Sequence, residues 1–163
     1  MFEKSRILER KITMIYVITH GERAIGPDPL HTEKGIEKIK KLPLPENITQ
    51  VVIGTGRRFV EIYNAFKDKL NGVPVKFSPF CGSAVSLGEE ENIILPDGTV
   101  IKRDDYLSLY EVPAFNAWEF IRGLPDNTLL CSGGELLISL GLKSEKGCLF
   151  ELDPVNKTGR KIG

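Results

Sequence analysis

Short, dense apolar runs alternate along the chain with longer stretches in which apolar residues recur every third or fourth position. This alternation of strand and helix patterns predicts an α/β fold. Met14 to Thr19 (Met-Ile-Tyr-Val-Ile-Thr) is apolar and β-branched, as expected of a parallel strand covered on both faces. His20 to Pro29 holds Gly21, Gly26, Pro27 and Pro29 and reads as a loop. Thr32 can cap a helix running to about Leu42, with Ile36, Ile39 and Leu42 inward and Pro43 and Pro45 as its stop. Val51 to Ile53 is a second buried strand. Gly54-Thr55-Gly56 then leads into a helix from about Arg57 to Leu70, whose inner face carries Phe59, Ile62, Tyr63 and Phe66. Val73 to Phe77 is a third strand.

The pattern weakens from Ser78 to Tyr110, where Ile93 to Leu95 and Thr99 to Ile101 flank Pro96-Asp97-Gly98 as a small hairpin. A helix is expected over Pro113 to Arg122, offering Phe115, Trp118, Phe120 and Ile121 for packing. A strand follows over Thr128 to Cys131, then a helix over Gly133 to Leu142 and a last strand over Cys148 to Leu152; the segment from Asp153 is polar. Met1 to Lys11 is highly charged, with Phe2, Ile7 and Leu8 on one side of a short amphipathic helix. The domain reading is an N-terminal helical arm over 1–13 and a single domain over 14–163. Its architecture is a three-layer α/β/α sandwich with a mainly parallel sheet.

At 163 residues the chain suits one domain with a core of its own. Lys+Arg and Asp+Glu both number 22, so the basic excess usual in nucleic-acid-binding domains is absent, though a local basic cluster could still bind one phosphate group. No apolar run approaches the ~20 residues needed to span a bilayer, and Met1 to Lys11 lacks a secretory apolar region, so no membrane partner is expected. Cys81, Cys131 and Cys148 are far apart and odd in number; they read as buried, inert thiols in a reducing cytoplasm. A cysteine phosphatase loop needs an arginine shortly after the thiolate. Neither Cys131-Ser-Gly-Gly-Glu-Leu-Leu nor Cys81-Gly-Ser-Ala-Val-Ser-Leu contains one. Gly54-Thr55-Gly56 lacks the Gly-Lys-Ser/Thr ending of a nucleotide-binding loop. No metal or organic cofactor is implied.

In open parallel sheets, ligands gather at the carboxyl ends of strands. Three strand ends here combine small residues with polar or charged ones: Thr19-His20-Gly21-Glu22-Arg23, Gly54-Thr55-Gly56-Arg57-Arg58 and Cys131-Ser132-Gly133-Gly134-Glu135. Glycines let backbone N–H groups approach an anion, and a helix N-terminus favours one. Arg57 and Arg58 in a first helical turn oppose the helix dipole. Anion binding is one reason for such a placement, and a solvated arginine pair is the plainer one.

These segments resemble the histidine phosphatase superfamily, the phosphoglycerate mutase-like fold. That family opens with a strand and Arg-His-Gly-Glu, where this chain has Thr19-His20-Gly21-Glu22. Its first helix begins Leu-Thr-Glu-Lys-Gly, here His31-Thr32-Glu33-Lys34-Gly35. Its next strand ends Ser-Ser-Pro with an arginine close behind, here Ile53-Gly54-Thr55-Gly56 with Arg58. Its late Ser-His-Gly is here Ser132-Gly133-Gly134. The resemblance runs from Met14 to about Leu152, at a length similar to the short phosphohistidine phosphatases. It implies phosphoryl transfer through a phosphohistidine on His20, with Arg58 holding the phosphate and Gly21 beside it. The substrate would be a small phosphorylated molecule or a phosphorylated protein.

Two departures bear on activity: Thr19 replaces the family's arginine, and Gly133 replaces its second histidine. Thr19 can offer one neutral hydrogen bond and Gly133 its backbone N–H. Arg23 and Arg57 lie near pocket positions and are candidate replacements. A divergent phosphomonoester hydrolase and a non-catalytic domain binding an anionic ligand, a pseudoenzyme, therefore both stay open, beside an interaction domain with a vestigial pocket. Glu89 and Glu90, in a run with Glu91, fall where larger members place an acid; the plain reading is a solvated loop. His31 could swing toward the pocket, but its plainer reading is a surface residue at the helix entry; Glu22 reads as a partner for Arg23 or a nearby N–H, and Glu135 as a complement to its helix dipole. Trp118 reads as core. Nothing in the sequence sets the oligomeric state.

Overall fold

The structure, a computed structural model, describes residues 13–26, 29–82, 92–94, 100–102 and 116–163. β1 (Ile15–Thr19), β2 (Gln50–Ile53), β3 (Val75–Phe77), β6 (Thr128–Ser132), β7 (Leu149–Asp153) and β8 (Thr158–Lys161) make one sheet in the order β3-β2-β6-β1-β7-β8. β4 (Asn92–Ile94) and β5 (Val100–Lys102) form a separate antiparallel hairpin at the expected place. Four α-helices accompany them among the described residues, α1 (Glu33–Lys40), α2 (Arg57–Ala65), α3 (Ala117–Arg122) and α4 (Gly134–Ser139), with a 3-10 turn over Pro79–Cys81.

Strand alternation divides the core into two halves, one on each face of the sheet. Ile15 and Val17 of β1 join Val52, Leu130, Phe150 and Leu152 on one face, where Ile121 of α3 and Leu136 and Leu137 of α4 cover them. Ile18 joins Val51, Ile53, Leu129, Cys131 and Leu149 on the other, beneath Ile39 of α1 and Phe59 and Ile62 of α2. Burial on both faces is why these strands read as unbroken apolar runs. The three-layer α/β/α sandwich is the architecture expected from the sequence.

β6 lies between β1 and β2 and runs parallel to both, and β2 is parallel to β3. The connection from β1 through α1 thus passes over the β6 position before reaching β2. The carboxyl ends of β1, β2 and β6 come side by side at this reversal of strand order. The ladder continues past their ends: His20 N–H donates to the Ser132 carbonyl at 3.0 Å and Gly54 N–H to the Cys131 carbonyl at 2.9 Å.

Several boundaries differ from the sequence pattern. The first helix stops at Lys40, and the second is regular only to Ala65. The third strand begins at Val75, and the helix after β6 starts at Gly134 and ends at Ser139. The helix expected from Pro113 is described from Ala117; residues 113–115, all of the expected 1–13 arm but Thr13, and Glu89 and Glu90 lie outside the described residues. The strand expected to be last is not. β7 runs antiparallel to β1, and β8, within the polar C-terminal segment, pairs antiparallel with β7. β8 shows no apolar pattern because it is an edge strand, with Thr158, Arg160 and Lys161 exposed. It is held by a turn in which Lys157 adopts φ 54° and the Asp153 carboxylate accepts from Val155 N–H and Asn156 N–H.

Candidate functional site

His20 follows β1, Arg58 sits in the first turn of α2, and both line one cleft of about 320 Å3 at the carboxyl ends of β1, β2 and β6. Arg23 and Lys146 also line it, and Glu135 is the one acidic residue among the described lining residues. The described walls therefore carry three cationic side chains against one carboxylate. Such a balance in a partly enclosed cleft favours an anion.

The His20 ring is fixed from two sides. Its Nδ1 lies 3.0 Å from the Gly21 carbonyl oxygen. That oxygen can only accept, so Nδ1 carries the proton and Nε2 keeps its lone pair. The ring meets Phe59 edge-on at 6.0 Å between centroids, and the Arg58 guanidinium carbon stands 4.3 Å from the centre of the same Phe59 ring. Burial, opposed by the Gly21 hydrogen bond and assisted by the positive charge of Arg58, lowers the His20 pKa to about 4. The imidazole is neutral at pH 7.

Behind the cleft lies a chain of hydrogen bonds that the sequence reading did not foresee. His31 is buried, not a surface residue at the helix entry: its side chain is 0% exposed. The Glu61 carboxylate of α2 accepts from His31 N–H at 2.6 Å and from Nδ1 at 3.1 Å. This leaves Nε2 of His31 to accept from Gly21 N–H at 2.9 Å. Gly21 is thus held through its N–H by His31, while its carbonyl holds His20. Burial also lowers the His31 pKa, against the pull of Glu61. The signal for Glu61 was its place three residues after Arg58, on one side of a helix.

No protein-family model matches the sequence, and no curated protein matches it. Solved structures do match. A protein of Thermus thermophilus, TTHB049, superposes with a TM-score of 0.51 at 14% identity, over 86% of this chain and 93% of the other. A protein of Agrobacterium tumefaciens assigned as the phosphohistidine phosphatase SixA gives 0.52 at 13% identity, over 94% and 97%. A mycobacterial glucosyl-3-phosphoglycerate phosphatase gives 0.50 at 12% identity, over 92% and 97%. The fold is that of the histidine phosphatases.

On this histidine phosphatase fold, several residues expected to bind phosphate have their donors engaged elsewhere. Thr19, 1% exposed, donates its hydroxyl proton to the Glu145 carbonyl at 2.6 Å and accepts from Cys148 N–H at 3.1 Å. Gly133 N–H donates to the Cys81 carbonyl at 2.7 Å, and Gly21 N–H to His31. Gly54 at the end of β2, and Gly82 after the 3-10 turn Pro79–Cys81, instead make room for an aromatic ring. A Cβ on Gly54 would stand 2.6 Å from Phe59 Cδ2, and one on Gly82, whose φ is +128°, 2.6 Å from Phe59 Cζ. Arg57 is exposed and is not among the residues lining the cleft, whereas Arg23 is. A helical step of about 100° separates Arg57 from Arg58, so only one of the pair can face the strand ends.

Glu22 receives a hydrogen bond from the Thr32 hydroxyl at 3.1 Å, an alternative to the expected pairing with Arg23. Glu135 lines the cleft besides sitting in the first turn of α4. Trp118 packs on the core and donates its Nε1 proton to the Leu140 carbonyl at 3.1 Å. All three cysteines are free and buried. Burial pushes the Cys81 thiol up to about 12 and raises Cys131 as well, so neither is a thiolate nucleophile at neutral pH. Among the described residues there is no cluster able to hold a metal ion and no helix long and apolar enough to cross a membrane.

Proposed function

We propose that this chain is a divergent phosphatase acting through a phosphohistidine on His20, on a small phosphorylated molecule or a phosphorylated protein side chain. The observation that carries the reading is the tautomer of His20. Nδ1 is tied to the Gly21 carbonyl and the ring is neutral, so Nε2 offers a lone pair beside a buried guanidinium. In the first step Nε2 attacks phosphorus, the P–O ester bond breaks, and the leaving oxygen takes up a proton. In the second, water attacks phosphorus, the P–N bond breaks, inorganic phosphate leaves, and Nε2 regains its lone pair. Arg58 and Arg23 would stabilise the charge that builds on the phosphoryl oxygens. A poor leaving group needs a proton donor; Glu135 lines the cleft, and Glu89 and Glu90 remain candidates for that role.

The engaged donors of Thr19 and Gly133 support a second reading, a non-catalytic domain that binds a phosphorylated or other anionic ligand. One experiment separates the two. The phosphatase should hydrolyse an aryl phosphate, and His20→Ala should lower turnover on the order of a thousandfold while the melting temperature stays within a few degrees. A binder should show no turnover, yet inorganic phosphate should raise its melting temperature. Turnover undiminished in His20→Ala would refute the phosphohistidine route. The cytoplasm is the compartment proposed for either reading, with a phosphorylated partner and no nucleic acid.

A further inference from the structure

The loop between α4 and β7 is fastened to the end of β1 with unusual thoroughness. Thr19 N–H donates to the Cys148 carbonyl, and Cys148 N–H returns to the Thr19 hydroxyl, both at 3.1 Å. The same hydroxyl donates to the Glu145 carbonyl at 2.6 Å. Gly147 N–H donates to the His20 carbonyl at 3.0 Å, with Gly147 at φ +64°, a backbone conformation that glycine adopts without penalty. From the other side, the Lys38 ammonium of α1 donates to the Lys146 carbonyl at 2.8 Å. The carbonyl before Lys146, its own carbonyl and the N–H after it are therefore all held. The residue at the centre of these restraints lines the cleft with His20, Arg23 and Arg58.

We propose that Lys146 is a phosphoryl-binding cation of this cleft, taking over the role of the arginine that Thr19 replaces, and that Thr19 is its positioning residue. The inference rests on the reading of the cleft as a phosphoryl site. Its physical logic is an exchange of one contact for another. Thr19 borders the cleft, but its hydroxyl is engaged by the Glu145 carbonyl and Cys148 N–H, so it anchors the backbone that presents a lysine from the loop before the neighbouring strand β7. The substitute differs in kind. Lysine is a point charge with three rotatable donors, whereas arginine offers a planar fork, so phosphate is held by charge more than by a bidentate geometry.

The test uses the full chain and four variants: Lys146→Met, Lys146→Arg, Thr19→Val and the double variant Thr19→Val/Lys146→Met. Lys146 also borders a neighbouring groove with Lys34, Lys38 and Lys41, and Lys34→Met, which removes a charge from that groove alone, serves as the control for net charge and for the groove. The readouts are kcat and KM for an aryl phosphate and the shift in melting temperature produced by inorganic phosphate. Lys146→Met should lower kcat/KM on the order of tenfold to a hundredfold and shrink the phosphate shift. Lys146→Arg should restore most of both, and Lys34→Met should change neither. Thr19→Val should move in the same direction as Lys146→Met, and the double variant should be no worse than Lys146→Met alone, because residues acting through one another are not additive.

Wild-type phosphate binding and turnover that persist unchanged in Lys146→Met would overturn the inference and leave the site reading standing. A wild type that neither binds phosphate nor turns over would sink the site reading, and this inference with it. Additive losses in the double variant would remove Thr19 from the positioning role. Should Thr19→Val fail to fold, the Met and Arg variants of the exposed Lys146 still decide whether its charge is used.

Discussion

Two histidines sit back to back at the end of β1, with ring centroids 6.4 Å apart, and the protein keeps both neutral. His20 is lowered to about 4 and His31 is lowered too, chiefly because burial disfavours the charged ring. Their folded pKa values lie below the ordinary value near 6.5 that the unfolded chain retains. Below that pH the unfolded state binds more protons, so stability present at pH 7 is lost as pH falls from about 6.5 toward about 4. The part due to His20 is on the order of 1 kcal/mol at pH 5, after discounting for the solvent that reaches its ring. Urea midpoints at pH 7 and pH 5 test this: the drop seen in the wild type should be smaller in His20→Ala, and a flat wild-type profile would contradict it. His31→Ala leaves Gly21 N–H without its acceptor, takes from the Glu61 carboxylate the imidazole donor while the backbone N–H of residue 31 stays, and opens a cavity. It should cost about 2–3 kcal/mol in urea unfolding at pH 7. It should also lower aryl phosphate turnover, since the carbonyl that orients His20 belongs to the residue His31 holds.

The junction of α1 with the His20 loop depends on a missing side chain. The Thr32 hydroxyl caps α1 by accepting from Gly35 N–H at 3.1 Å. Gly35 is buried, and a Cβ there would run into the Glu22 carbonyl. That carbonyl also accepts Thr32 N–H at 3.0 Å. Alanine is a better helix former than glycine, so propensity alone would forecast a stabilising change of up to about 1 kcal/mol for Gly35→Ala. Contact decides the other way. The Glu22 backbone cannot retreat without breaking its bond to Thr32, so Gly35→Ala should destabilise by about 1–3 kcal/mol. A thermal melt that shows the variant unchanged or improved would mean the loop yields more easily than its hydrogen bonds suggest. Thr32 and Gly35 were legible as cap and helix start; the close approach of residue 22 was not, because it depends on how the loop folds back.

Across the whole molecule, β7 and β8 are the departure from a parallel sheet and the part least visible in sequence. β8 covers one edge of β7, and Gly163 exchanges hydrogen bonds with Leu149: Leu149 N–H donates at 2.9 Å and its carbonyl accepts back at 3.2 Å. Removal of residues 154–163 would leave Leu149–Asp153 as an open strand edge next to β1. An apolar edge of that kind templates further pairing, so the shortened chain should aggregate in size-exclusion chromatography at concentrations where the full chain does not. The hydrophobic pattern by itself determined the inner strands, the helices that cover them and the three-layer architecture. Burial on both faces writes itself into composition, and helix periodicity survives any tertiary setting. It also put His20 and Arg58 at strand and helix ends that a parallel sheet brings together. Only the tertiary structure decided which donors remain for a ligand. Thr19, Gly21 and Gly133 spend theirs on Glu145, His31 and Cys81, at sequence separations that no local pattern records. Hydrogen bonds between distant segments are fixed by packing distances of a few tenths of an ångström. For that reason the chain announces its fold plainly, while the identity of the cleft's donors emerges only once the loops have closed around it.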